Sequence, residues 1–176
     1  METVFIADDE QIIRNGLKCI IDWNELGFEI CGEASNGEDA LNKILQLNPS
    51  LVLIDIRMPK LHGIDVIEAA RKQGFKGKII IISGFSDFKY AQSAIRFGVD
   101  YYLTKPIDEE ELLDIIKQVK ESISNEKKTS QVLLHYKEKA KKEILDDLIS
   151  GTADISLINT SEINISANIY QVVIYE

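Results

Sequence analysis

The chain has 176 residues, is 45% hydrophobic and carries a formal net charge of −9, enough for one full domain and part of another with a core of ordinary size. The acidic balance argues against a chain that grips nucleic acid by itself. No segment approaches the ~18 uninterrupted apolar residues of a membrane span, and the start "METVFIADDE" lacks the basic end and long apolar stretch of a signal peptide, so a cytoplasmic location is expected.

Five short apolar runs recur along the first two thirds of the chain: "TVFIA" (3–7), "FEICGEA" (28–34), "SLVLI" (50–54), "KIIIIS" (78–83) and "VDYYL" (99–103). Most are continuous rather than alternating, as suits strands covered on both faces. After the first run, Ile12, Ile13, Leu17, Ile20 and Ile21 are read as one helical face. After the second, Asn36 can cap a helix whose inner face is Ala40, Leu41, Ile44 and Leu45. Val66, Ile67 and Ala70 mark the third helix, and Ala91, Ala94 and Ile95 the fourth, with Gly98 where that helix should stop. Asp108 and Glu111 form a capping box for the fifth, which opens on acids as the helix dipole prefers. Strand alternating with helix five times predicts an α/β domain built on a parallel sheet with right-handed crossovers, over residues 1–122.

Beyond residue 122 the character changes. "SNEKKTSQ" (124–131) is polar, and Leu133, Tyr136, Ala140, Ile144 and Leu148 then repeat at helical spacing. Residues 123–150 therefore read as a helical linker, either continuous with the fifth helix or broken near Ser124, whose narrow stripe suits a dimer seam or a neighbouring domain. The interleaved cluster "KEKAKK" (137–142) reads as a solvated face. Residues 151–176 end on "YQVVIYE", a lone strand pattern, and are expected to begin an incomplete second domain. Cys19 and Cys31 form no CxxC pair and read as reduced core thiols.

In open parallel sheets, sites form at the carboxyl ends of the strands. Asp8 and Asp9 follow the first run, Asp55 the third, Ser83 ends the fourth, and Lys105 with Pro106 follows the fifth. Carboxylates gathered at one edge repel, at about 4 kcal/mol per pair for ~4 Å and an effective dielectric of ~20. One lysine does not offset that, and a hard divalent cation with oxygen ligands does, Mg²⁺ being the natural choice. The histidines are His62 and His135, so a zinc cluster or histidine base is not expected, and His62 reads as a solvent-facing loop residue. A carboxylate, Mg²⁺, a lysine and a hydroxyl are the parts needed to move a phosphoryl group.

Together, "ADDE", "DIRMP", Ser83 and "YYLTKP" resemble the receiver domain of bacterial two-component response regulators. The stretches "DWNELGFEICGEASNGEDAL", "DIRMPKLHGIDVI" and "SGFSDFKYAQSAIRFGVDYYLTKP" resemble receivers joined to an AraC-type DNA-binding domain. The resemblance implies a doubly wound, flavodoxin-like sheet of strand order 2-1-3-4-5, with Asp55 taking phosphate from a sensor histidine kinase. It further implies Mg²⁺ held by Asp9 directly, Asp8 through water, Asp55 and the Arg57 backbone carbonyl. Lys105 would pair with a phosphoryl oxygen, Ser83 would hydrogen-bond the phosphoryl group, and Tyr102 would swing inward behind it as the second switch residue. The Lys105–Pro106 bond is expected to be cis.

Phosphorylation would then shift the surface from Phe88 to about Lys120 toward a new partner. Bulky Arg57 and Phe85 are expected to hinder water and slow loss of the phosphate. The implied partners are a sensor kinase, a second copy of the chain, and DNA only through a C-terminal domain absent from these residues. Three alternatives stand beside this one: a stand-alone phosphorelay receiver, a receiver-shaped module that is never phosphorylated, and a Mg²⁺-dependent phosphohydrolase. The last usually places a second acid two residues after the nucleophile, where this chain has Arg57. On the favoured reading the protein is no enzyme beyond its own phosphorylation and dephosphorylation.

Overall fold

The computed structural model describes residues 1–84 and 96–150. Its elements are β1 (Glu2–Ala7), α1 (Gln11–Cys19), β2 (Phe28–Ala34), α2 (Gly37–Leu47), β3 (Leu51–Asp55), α3 (Gly63–Lys72), β4 (Lys78–Ser83), β5 (Tyr101–Thr104) and a last helix, here α4 (Glu109–Ser150). The expected helix face of Ala91, Ala94 and Ile95, the residues Phe85 and Phe88, the side chain of Leu148 and the strand pattern "YQVVIYE" lie outside the described residues. Contacts divide the chain into two units, Met1–Asn125 and Glu126–Glu176.

In the first unit the five strands are all parallel and ordered β2-β1-β3-β4-β5, the doubly wound order expected. The continuous apolar runs follow from burial on both faces: all five residues of β3 are buried, and the last five of β4. Strand alternation sorts these side chains into two cores. Phe5, Val52, Ile54, Ile79 and Ile81 meet Ala40 and Ile44 of α2 and Val66, Ile67 and Ala70 of α3. Val4, Ile6, Leu51, Leu53, Ile80 and Ile82 meet Leu17 of α1 and Leu112, Ile116, Val119 and Ile123 of α4.

The expected caps form. Asn36 accepts the Asp39 N–H at 3.0 Å, and Asp108 accepts the Glu111 N–H at 2.9 Å. Gly98 has φ +67°, the left-handed geometry that a glycine reaches without a Cβ clash. Two expectations for α1 need correction. Ile12 is 76% exposed, because at 100° per residue it stands well off the Leu17 face, and Ile20 and Ile21 fall after the helix ends. Cys19 is likewise exposed rather than in the core, while Cys31 is half-buried and donates its thiol to Val4 O at 3.3 Å; both are free.

Where two helix starts approach the loop after β3, glycine is required. A Cβ on Gly37 would stand 2.0 Å from Leu61 O, and one on Gly63 2.1 Å from Asp55 O. Gly37 N–H donates to Pro59 O at 3.1 Å, so this approach ties the loop to the start of α2. Gly37→Ala is expected to cost about 2 kcal/mol, since the obstacle is backbone rather than a flexible side chain. Urea unfolding measures it, and an unchanged midpoint would show that the loop moves aside freely.

The last helix runs without a break from Glu109 to Ser150, which decides between the continuous and the broken linker. In the second unit, Val132, Leu133, Leu134 and Tyr136 are 55–64% exposed. Residues 137–142 are exposed too, as a solvated face requires. No helix among the described residues is long and apolar enough to cross a membrane.

Candidate functional site

Three strand ends and the turn after β1 build one cluster. Asp55 is the last residue of β3, and Ser83 is the last residue of β4; their side chains are buried at the carboxyl edge of the sheet. Asp8, one residue past β1, is 1% exposed. Lys105, one residue past β5, places Nζ 2.8 Å from Asp8 Oδ2 and 3.3 Å from Asp55 Oδ1, so one ammonium is shared by two buried carboxylates. Its own backbone N–H donates to Ser83 O at 2.9 Å, which ties the end of β5 to the end of β4. The Lys105–Pro106 peptide is cis, as expected.

Each carboxylate is also fixed by a backbone donor. The Arg57 N–H reaches Asp55 Oδ2 at 2.8 Å, and the Glu10 N–H reaches Asp8 Oδ1 at 2.9 Å. Gly63 lets the start of α3 close against Asp55 O, and its N–H donates to Ile56 O at 2.8 Å. The Asp55 carboxylate is thus oriented by the Arg57 N–H, while Gly63 packs against the backbone that carries it.

Burial pushes the Asp55 carboxyl above its ordinary range; the Lys105 charge opposes this and the Asp8 charge adds to it. For Lys105, burial alone would lower the ammonium, but the hydrogen bond to Asp8 and the charge of Asp55 outweigh it and hold the group above its ordinary value. The trio brings two buried carboxyl groups and one ammonium together, with the exposed Asp9 and Glu10 adjoining it. The carboxylate oxygens of Asp8, Asp9 and Glu10 lie within 4.8 Å of one another. An all-oxygen donor set with surplus negative charge fits a hard divalent cation.

Other expected residues fall as follows. Tyr102 is half-buried and packs against the core between the sheet, α2 and α3. The Arg57 side chain is exposed, and His62 is an exposed residue at the N-cap of α3. Two residues of the cluster had no role assigned from the sequence. Glu10, the acid that ends "ADDE", joins the two aspartates in the cluster. Arg14 lies 91% buried beneath them, donating to Asp8 O at 2.8 Å and Asp9 O at 3.3 Å. Its signal was a lone arginine three residues before Leu17, on the inward side of an otherwise apolar helix face.

Residues 4–117 match the family model for the response regulator receiver domain. The chain belongs to that family.

The chain is 35% identical over 163 residues to YesN of Bacillus subtilis, named as an uncharacterized transcriptional regulatory protein, covering 89% of this chain and 44% of that protein. It is 41% identical over 112 residues to the transcriptional regulatory protein HptR of Staphylococcus aureus, covering 64% of this chain and 44% of HptR. The chain thus spans less than half the length of these curated relatives. Among solved structures, the receiver domain of AraT, a response regulator from Geobacillus stearothermophilus, is 40% identical with a TM-score of 0.68, covering 72% of this chain and 98% of that one. A LuxR-family DNA-binding response regulator from Staphylococcus aureus is 32% identical with a TM-score of 0.61, covering 68% of this chain and 99% of that one.

Proposed function

We propose that this receiver is phosphorylated on Asp55 by a sensor histidine kinase and so controls a transcription-regulating output domain. The observation that carries the reading is the shared Lys105 ammonium, 2.8 Å from Asp8 and 3.3 Å from Asp55, beneath a cluster of acids at the carboxyl edge of the sheet. In the transfer, an Asp55 oxygen forms a bond to phosphorus as the phosphorus–nitrogen bond of the donor phosphohistidine breaks, and the imidazole leaves with the electron pair and takes up a proton. Asp55, Asp8, Asp9 and the Arg57 carbonyl would hold Mg²⁺. When bound, that ion offsets charge on the phosphoryl oxygens and on the crowded acids.

The chain's own residues do the rest. The Arg57 N–H orients the nucleophile, and Gly63 packs against the backbone that carries it. Lys105, freed in part from Asp8, pairs with a phosphoryl oxygen, and Ser83 donates to another. Because the Lys105 N–H is bonded to Ser83 O, movement of either residue is felt by both β4 and β5, and Tyr102 on β5 is placed to register it. Phosphorylation adds about −1.5 to −2 charge units and three acceptor oxygens. A differential of ~3 kcal/mol between states changes their ratio more than 100-fold.

The test is the intact mass after exposure to acetyl phosphate and Mg²⁺. One phosphate is expected on the wild-type chain and none on Asp55→Ala; equal gain by both would remove Asp55 from the role. The Arg57 side chain, exposed beside this site, is expected to slow attack by water; replacing it with a small polar residue should shorten the acyl-phosphate half-life.

The role in transcription rests on the names of YesN and HptR as transcriptional regulatory proteins, with the AraC-type output suggested by the sequence resemblance. A second copy of the chain is the partner proposed for residues 126–150, where Val132, Leu133, Leu134 and Tyr136 present apolar area to water on an otherwise charged helix. Light scattering is expected to give a dimer, strengthened by beryllofluoride. A monomer in both states at high concentration would end that proposal.

A further inference from the structure

We propose that Arg14 is a positioning residue for the metal-binding acids, holding the Asp8–Asp9 turn in its ligating geometry from the side opposite the site. The inference rests on the Mg²⁺ reading given above. Three observations support it.

The first is what the guanidinium touches. One nitrogen, Nη1, donates to two consecutive backbone carbonyls, Asp8 O at 2.8 Å and Asp9 O at 3.3 Å. Successive carbonyls turned to one donor fix the peptide plane between them. The backbone positions from which the two side chains depart are then fixed as well. On the other side of the same turn, the Asp8 N–H donates to Ala34 O at 3.1 Å and the Glu10 N–H to Asp8 Oδ1 at 2.9 Å. The acidic turn is held by β2 and by α1, and Arg14 is the α1 part.

The second is how Arg14 is itself held. Its Nε lies 3.4 Å from Glu33 Oε2, and Lys18 Nζ lies 2.5 Å from the same oxygen. The Nε–H makes no aligned hydrogen bond, so Glu33 acts there as a charge. The Lys18 ammonium beside it, opposed by partial burial and helped by the Arg14 charge, keeps the Glu33 carboxyl below the usual carboxylate range. A carboxylate at the end of β2 thereby steers the guanidinium that steers the turn.

The third is cost. The Arg14 side chain is 10% exposed, and it occupies an inward position of α1 beside Leu17. Withdrawing a guanidinium from water is unfavourable, and an apolar residue there would extend the core. What an apolar residue could not do is donate to two carbonyls beneath acids that repel one another. Arginine also differs from lysine here, because a planar guanidinium holds a fixed direction that a rotating ammonium does not.

Arg14→Lys keeps the charge and loses the fork. Calorimetric titration of the folded protein with MgCl₂ is expected to give a dissociation constant raised about tenfold, the usual size for removing the group that orients a ligand. In the metal-free protein, amide exchange at Glu10 should quicken several-fold while β3 amides stay unchanged. Glu33→Gln, at a side chain 40% exposed and so tolerant of change, should raise the dissociation constant about threefold and serves if Arg14→Lys does not fold. A merely structural arginine would lower the melting temperature and leave Mg²⁺ affinity alone. Wild type that binds Mg²⁺ beside folded variants that bind it within twofold would overturn this inference only. Wild type that binds no Mg²⁺ would overturn the inference together with the metal reading beneath it.

Discussion

Lys105→Met is expected to lower stability by about 3 kcal/mol at neutral pH without divalent metal, a fall of roughly 10 °C in melting temperature. The lysine is the cation shared by Asp8, 1% exposed, and Asp55, 6% exposed; without it both carboxylates stay buried and face each other uncompensated. The penalty should shrink in an Asp55→Asn background, because one of the two charges is then gone, and a double-mutant cycle measures that coupling. The Lys105 ammonium is held above its ordinary value by its acidic partners, although burial works against it. A cation raised in the folded state contributes stability that is complete below the unfolded value of about 10.4 and is lost as pH rises through the folded one. Wild type should therefore lose this contribution in alkali, and Lys105→Met, with nothing to lose, should not. Chemical denaturation at neutral and alkaline pH decides it; equal stability of variant and wild type at neutral pH would mean the trio is not the electrostatic unit described.

Asp55→Asn is expected to do two opposite things: abolish phosphate gain and raise stability by about 1–2 kcal/mol at neutral pH in the presence of a chelator. The sign follows from the direction of the Asp55 shift, which is upward, burial first and Asp8 adding to it, with Lys105 too weak to reverse them. A carboxyl raised in the folded state favours the fold while protonated. That contribution is whole below the unfolded value of about 3.9 and is lost as pH rises through the folded value. The variant and wild type should therefore be nearly equal near pH 3.5 and diverge upward from there. Mg²⁺ should close the gap by stabilising wild type more than the variant, since a ligand that binds only the folded state adds RT ln(1 + [L]/Kd). A variant less stable than wild type in chelator would mean that Lys105 attraction dominates Asp55.

Much of this protein was legible before any coordinates. Five apolar runs bounded by caps and turn residues gave the alternation of strand and helix, because strands buried on both faces have no polar side to show. The same alternation placed Asp8, Asp55, Ser83 and Lys105 at strand ends, since topology alone decides which ends of a parallel sheet lie together. The polar stretch at 124–131 left continuity open: glutamate and lysine are good helix formers, and the backbone of α4 runs through them.

Sequence by itself, then, determined the alternation of elements and the edge at which the acids gather, because hydrophobic period and chain direction are local properties. Tertiary structure alone decided that Ile12 faces water, that Lys105 is shared between two carboxylates, and that Arg14 grips the acidic turn from beneath. Those outcomes depend on which groups meet, across 6 residues for Arg14 and Asp8 and 97 for Lys105 and Asp8, and on how deeply each is withdrawn from water. Distance and burial set the strength of a charge, and neither is written in the order of residues.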